Sequence, residues 1–453
     1  MRRALGLDGP VAYTFLARFV GIVGSTGTVL LIVRFLSPLE QGYYYTLLSL
    51  VSLQMVFELG FSFVIQQLAA HECIHLELSP DGGVRGDLVA HARLASALQL
   101  SLRWYTVAAA AMALILAPLG FVFFAHHAIG QTRVAWQGPW LAAALASAGG
   151  LWCTPFYSFI EGCGEVRAVA AMRLRQAGVA AAFAWAAMML HHGLYAPALV
   201  IVGQVGTGLF FLGSHRRLLS GLLRYRANEA AIHWNREVWP FQWRIAVSWM
   251  CSYFTIQIFI PILFAMRGPV DAGKMGMSLS ITGYMTSLVL PWISTKATPF
   301  GRMIAQRQFH ELDRLFRRSL SQALGIFAII ALTVDAGAVL LTVVAPRLAV
   351  RMVSPQLLAV LLLAAGANCI VQSLGTLLRA FKREPFLMQS LAVSSVSLLM
   401  AMLSARRWGN TGVTLSYLGA MAGIALPSAL TIYLRARRSY LTKGPLVMTG
   451  REA

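Results

Sequence analysis

Apolar runs of about 20 residues, divided by short polar stretches, recur along the whole chain, and a run of that length lets an α-helix cross a bilayer. Twelve are expected, at roughly 11–33, 43–66, 99–124, 139–160, 172–191, 196–214, 239–265, 275–298, 320–344, 356–377, 386–404 and 412–434. The pattern predicts an all-α polytopic membrane protein. An even number of spans puts both termini on one side.

The second run opens on a start signal. Ser37-Pro38-Leu39-Glu40 is an S-x-x-E capping box, with Pro38 at the first helical position, where no donor is needed. A degenerate copy, Gly268-Pro269-Val270-Asp271-Ala272-Gly273, stands 231 residues later, close to half of the 453-residue chain. The expected organisation is therefore two six-helix lobes related by a parallel repeat: residues 1–214, a linker at 215–238, and residues 239–453 with a terminal tail.

Composition agrees. The chain is 58% hydrophobic and 12% charged, about half the charge of a soluble domain. The net charge of +20 raises nucleic acid as a partner, but its placement argues otherwise. Of 37 Lys and Arg, 26 fall with the termini and even-numbered loops, and eight in the opposite loops (Arg34, Arg133, Arg267, Lys274, Arg347, Arg351, Arg406, Arg407). That bias predicts cytoplasmic termini, with anionic lipid headgroups as the companion of the basic loops. Arg2-Arg3 precede a run too long for a signal-peptide core, so a retained first helix is expected.

The loop 68–98, with Ser79-Pro80-Asp81-Gly82-Gly83, has turn chemistry and no core. Phe309, Leu312, Phe316 and Leu320 share a helical face flanked by arginines, the pattern of a basic helix lying in the interface plane. The five cysteines (Cys73, Cys153, Cys163, Cys251, Cys369) form no C-x-x-C pair, so neither a metal site nor a disulfide framework is expected. His126-His127 and His191-His192 read as exposed loop residues. Tyr43-Tyr44-Tyr45, Trp239, Trp243 and Trp249 read as interfacial anchors and packing.

Three polar residues in the spans are cations: Arg18, Arg244 and Lys296. Thr14, Arg18, Gly21, Ser25 and Thr28 fall within about 80° on the first helix, and Gln54, Glu58, Ser62 and Gln66 within about 120° on the second. Arg244, Ser248, Cys251 and Thr255 share about 60° on the seventh, and Ser278, Thr282 and Lys296 one face of the eighth, with Trp292 alongside. Charges at membrane depth usually face a bundle interior or a watery cavity, which makes Arg18, Ser25, Glu58, Arg244 and Lys296 candidates for a substrate cleft. The competing reading is that the three cations snorkel to headgroups. Glu58 and Asp335 are the candidates for ion coupling, against a structural ion pair of Glu58 with Arg18. Asn368 and Gln372 read as helix–helix hydrogen bonds. No nucleophile–base–acid set and no phosphate-cradling glycine loop is recognisable, and no catalytic residue, metal ligand or cofactor is assigned.

Twelve spans, the six-plus-six repeat and the opening R-F-L-S-P-x-E-Q-G-Y-Y at Arg34–Tyr44 resemble polysaccharide flippases of the Wzx type. These belong to the multidrug/oligosaccharidyl-lipid/polysaccharide exporter superfamily. Glu161-Gly162-Cys163-Gly164-Glu165-Val166 is similar to that family's E-G-x-G/N-x-V loop. The resemblance implies two lobes around a cleft, alternately open to either face of a bacterial inner membrane. It implies that the cargo is a polyprenyl-diphosphate-linked oligosaccharide for surface polysaccharide assembly, with polysaccharide polymerase and chain-length proteins as further partners. A cation-lined cleft suits a diphosphate independently of the resemblance.

Other readings stay open: an ion-coupled multidrug exporter of the same superfamily, whose cationic cargo would favour an acidic lumen, and a lipid-linked peptidoglycan-precursor flippase. A membrane-embedded polymerase or ligase would be expected to present a large outer loop. No outer loop here exceeds about fifteen residues.

Overall fold

The apolar runs fold as helices whose ends are set by local chemistry. The computed structural model describes residues 9–78, 83–127, 134–225, 232, 234, 238–381 and 386–442. The first run is α1 (Gly9–Phe35). Ser37 then caps α2 (Pro38–Val51). The Glu40 N–H donates to Ser37 Oγ at 3.2 Å, and the Ser37 N–H donates to Glu40 Oε2 at 2.8 Å. Two amides otherwise orphaned at a helix start are thus satisfied.

The second run continues through α3 (Gln54–Glu58) and α4 (Phe61–Cys73), with a 44° bend between Pro38–Glu58 and α4. An antiparallel hairpin follows, β1 (Leu76–Leu78) and β2 (Val84–Gly86), so the expected open loop carries structure of its own. Next come α5 (Leu88–His127), α6 (Gln137–Gly162), α7 (Val166–Met189), α8 (Ala196–Ser214) and α9 (Arg216–Arg224). α10 (Trp239–Ser252) runs into a π-turn at Tyr253–Gln257 and then α11 (Phe259–Arg267).

The eighth run is α12 (Pro269–Val289), followed by the short α13 (Pro291–Ser294) and α14 (Ala297–Ala305). α15 (Phe309–Val344), α16 (Pro346–Ala349), α17 (Pro355–Arg379), α18 (Leu387–Leu418), a π-turn at Gly419–Ala425 and α19 (Leu426–Thr442) complete the chain. Gly409, at φ 53° inside α18, separates the eleventh and twelfth runs.

Among the described residues seven helical stretches are individually long and apolar enough to cross a membrane, and the bent α2–α4 passes as a unit. Leu387–Ser439, one such stretch, holds two of the expected spans across the Gly409 kink. The remaining expected spans are α6, α7 and α12, which are richer in Gly, Ala, Ser and charged residues. Large apolar side chains stand on the outside, Leu114 at 76%, Phe210 at 78% and Val343 at 79% exposure, as lipid-facing surfaces require.

Contacts divide the chain into two compact units, Met1–Met250 and Cys251–Ala453. In the first, α1 packs on α7, α4 on α6, α5 on α6, α6 on α8 and α7 on α8. By span these are first on fifth, second on fourth, third on fourth, fourth on sixth and fifth on sixth. In the second unit α12 packs on α17, α15 on α17 and α17 on α19, the same second-on-fourth, third-on-fourth and fourth-on-sixth pairings. Ser397 of the eleventh span donates to the Thr255 carbonyl of the seventh at 3.3 Å, and Gln389 to the Ala425 carbonyl of the twelfth at 2.7 Å. Pro269 is the first residue of the second helix of its unit, as Pro38 is of its own.

Small residues make the closest crossings, as in membrane bundles. A Cβ added at Gly24 would lie 2.8 Å from that of Ala181, and one at Gly27 would overlap the Trp185 ring. Trp185 Nε1 donates to Thr28 Oγ1 at 3.2 Å, joining α7 to α1.

One expectation about the helices is corrected. The face of Phe309, Leu312 and Phe316 is buried, and its helix is the beginning of α15, not a helix lying in the interface plane. The reason is a charged clamp. Asp313 accepts from Arg437 Nε at 2.7 Å and Nη2 at 2.8 Å, and from the Tyr433 hydroxyl at 3.2 Å. Tyr43, Tyr44 and Tyr45 are buried and serve packing, whereas Trp239, Trp243 and Trp249 are exposed. The stretch joining the two expected lobes is stitched to the third span: Gln99 Nε2 donates to the Tyr225 carbonyl at 2.8 Å, and Trp234 stacks on Trp104 at 5.2 Å.

Candidate functional site

The second span breaks at membrane depth. Glu58 ends α3, and Leu59 (φ 52°, ψ 24°) and Gly60 (φ 63°, ψ 18°) are both left-handed before α4 resumes at Phe61. A non-glycine residue in that region stores strain and needs surrounding support. Gln242, buried in α10, supplies it by donating Nε2 to the Leu59 carbonyl. Ser62 spans the break by donating to Glu58 Oε1 at 2.6 Å. Beyond the break an aromatic cluster closes in: Phe61 stacks on Tyr105 at 6.0 Å and meets Trp234 edge-on at 4.9 Å. Glu58 is thus a carboxylate at an interrupted helix, the kind of backbone irregularity that lines a cavity in membrane proteins.

On α1 two faces do different work. Gly24, Gly27 and Thr28 meet α7, so Thr28 belongs to a helix contact. Arg18 is exposed and Ser25 half-buried, and a Cβ at Gly21, between them on the helix surface, would meet nothing within 4 Å. The Arg18–Gly21–Ser25 face is therefore open. The side chains of Thr14 and Arg244 lie outside the described residues, although the backbone of Arg244 belongs to α10.

In the second unit Pro291 stops the eighth helix, and Lys296 is the N-cap of α14, off the helix that carries Ser278 and Thr282. Ser278 is turned inward and accepts from the Val353 N–H at 3.3 Å. Trp292 Nε1 donates to Gln322 at 3.3 Å. Asp335 lies within the apolar α15, half-buried, with its Oδ1 buried and without a hydrogen-bond partner. A cavity of about 250 Å³ opens among Ile256, Thr282, Thr286, Asn368 and Tyr417. Asn368 lines that space, where a helix–helix contact was expected.

Sequence reasoning did not single out Gln242 or the break. Gly60 inside an apolar run was the available signal for the break. Gln242 had none, since its partner is a carbonyl 183 residues away in the chain.

The E-G-C-G-E-V loop has a mechanical explanation. Glu161 accepts from Arg173 Nη2 at 2.7 Å, Gly162 lets α6 touch α4, and Gly164 turns the chain at φ 96°.

No protein-family profile matches the chain, and no curated protein matches it either. Solved structures do. The eukaryotic MATE transporter AtDTX14 aligns at TM-score 0.62 and 13% identity over 97% of this chain and 100% of that one. The Vibrio cholerae MATE transporter VcmN in its bent form aligns at 0.58 and 16%, over 95% and 97%. The lipid II flippase MurJ, inward closed, aligns at 0.59 and 12%, over 95% and 90%. At these identities the likeness is one of architecture: over nearly its whole length, this chain has the fold of the multidrug and lipid II transporters.

Proposed function

We propose that the protein is an alternating-access transporter that flips a polyprenyl-diphosphate-linked oligosaccharide across the bacterial inner membrane for surface polysaccharide assembly. It works with both termini in the cytoplasm. The observation that carries this reading is the open Arg18–Gly21–Ser25 face of α1, in a fold shared with a lipid II flippase. An arginine there offers a planar fork to a diphosphate or an acidic sugar, which a lysine cannot match. Lobes of residues 1–214 and 239–453 would rock about the cargo, as parallel-repeat transporters do. Arg244 and Lys296 are the further cations this reading assigns to the cargo, and the lipid headgroups hold the basic loops. The role assigned to Glu58 and Asp335 is coupling of that cycle to an ion.

The test is export of surface glycan by cells carrying Arg18→Ala or Arg18→Lys, with membrane levels of the protein held equal. Loss in Arg18→Ala with partial export in Arg18→Lys is expected. Normal export by Arg18→Ala at normal levels would sink the cleft role of this residue.

The similarity to multidrug exporters, together with two carboxylic residues at membrane depth, favours one other reading: an ion-coupled exporter of cationic drugs. Efflux of a cationic dye by the wild type, abolished in Glu58→Gln while glycan export is unchanged, would establish it instead.

A further inference from the structure

We propose that Cys73 and Cys163 form a paired-thiol site that a hydroperoxide oxidises reversibly to a disulfide. The two residues are distant in sequence, and the fold brings them together where α4 and α6 end. Ala69 and Cys73 are one turn apart on α4. A Cβ added at Gly162 would lie 2.8 Å from that of Ala69 and 2.5 Å from the Gln66 carbonyl oxygen. The α6 backbone therefore lies directly against α4 at this point, with no room for a side chain between them. Cys163 follows Gly162 directly, held by its N–H bond to the Phe159 carbonyl at 2.9 Å. Cys73, one turn beyond Ala69, and Cys163, next to Gly162, therefore flank one crossing, each thiol within the other's electrostatic reach.

A disulfide needs Cα atoms within about 4.4–6.8 Å, and a glycine-mediated crossing is where helices come that near. Exposure separates this pair from the other cysteines. Cys73 and Cys163 are partly exposed, whereas Cys153, Cys251 and Cys369 are buried to 1%, 5% and 0% exposure. A small oxidant therefore reaches the pair first.

The chemistry balances in two steps. One thiolate attacks the hydroperoxide: an S–O bond forms, the O–O bond breaks, and the alcohol (water, from hydrogen peroxide) leaves, giving a sulfenic acid. The second thiol attacks that sulfur: the S–S bond forms, the S–O bond breaks, and water leaves. Two thiols have then lost two electrons and two protons, and the peroxide has taken them up. A dithiol reductant reverses the change. The link ties α4, the part of the second span beyond the Leu59–Gly60 break, to the end of α6.

The experiment treats the purified full-length protein with hydrogen peroxide, blocks remaining thiols with N-ethylmaleimide, and maps peptides by mass spectrometry. The expected product is a Cys73–Cys163 cross-linked peptide pair lighter by two hydrogens. Both residues should lose maleimide labelling together and regain it after dithiothreitol. In Cys163→Ser, Cys73 should stop at a sulfenic acid trapped by dimedone. Persistent labelling of both thiols in treated protein would overturn the proposal. So would oxidation of Cys73 that leaves Cys163 of the wild type labelled, or cross-linking in equal yield from protein unfolded in dodecyl sulfate.

Discussion

Gln242 gives its side-chain amide to the main-chain carbonyl of Leu59, the residue where the second membrane span loses its helical path. A carbonyl freed by a helix break at membrane depth has no water to turn to, so the partner must come from the protein. Replacing Gln242 by Leu leaves that acceptor unsatisfied, and a loss of about 1–2 kcal/mol is expected. Gly60→Ala, at φ 63°, should cost about the same through left-handed strain. Thermal unfolding of the purified variants in detergent measures both. Wild-type stability in both would mean that the break is not held as described.

The α4–α6 crossing depends on the absence of one methyl group. Gly162→Ala would push against the Gln66 carbonyl and Ala69, backbone and a short side chain that cannot rotate away. Overpacking of this kind costs about 1–3 kcal/mol. Gly21→Ala, in the middle of α1 with open space around it, should be neutral or slightly stabilising because alanine is the better helix former. The same melting experiment compares the pair, and an equal effect of the two substitutions would contradict the packing argument.

Asp313 gathers Arg437, Tyr433 and, at 3.3 Å, Arg317, and so fixes the start of α15 to α19. Arg437→Ala removes both arms of the bidentate pair and leaves a mostly buried carboxylate less well neutralised. A destabilisation of about 1–3 kcal/mol is expected. Hydrogen exchange over Phe309–Phe316 should rise with it. Unchanged protection there would show that the apolar face holds α15 without the clamp.

Topology can be read directly. Gln137 is exposed at the start of α6 and, with cytoplasmic termini, lies outside the cell membrane. A cysteine placed there should react with an impermeant maleimide in intact cells. One placed at Ile74, exposed just after α4, should react only after permeabilisation. The reverse pattern would invert the orientation and with it the cytoplasmic placement of the basic loops.

Features that depend on a few neighbouring residues are legible in the chain. Run length set the spans. The Ser37–Glu40 box and Pro38 set the start of α2, because a capping hydrogen bond reaches only three residues along the chain. The Pro38–Pro269 correspondence pointed to the repeat that the helix pairings of the two units display. Pro291, with no N–H to give, is a local stop signal of the same kind, and it moves Lys296 off the eighth helix.

Contacts that join distant parts of the chain are not legible in this way. Periodicity placed Thr28 beside Arg18 and Ser25 on one stripe, but Trp185 claims Thr28 for a helix contact and leaves the other two on the open face. Periodicity also assumed one helix through Glu58, Ser62 and Gln66, and it could not foresee a break whose freed carbonyl is satisfied by Gln242. The meeting of Gly162 with Ala69, which brings the stretch of Cys163 to that of Cys73, belongs to the same class. Short-range patterns record which residues share a helix face, whereas which face is covered, and by what, follows only when helices far apart in sequence compete for the same close contact.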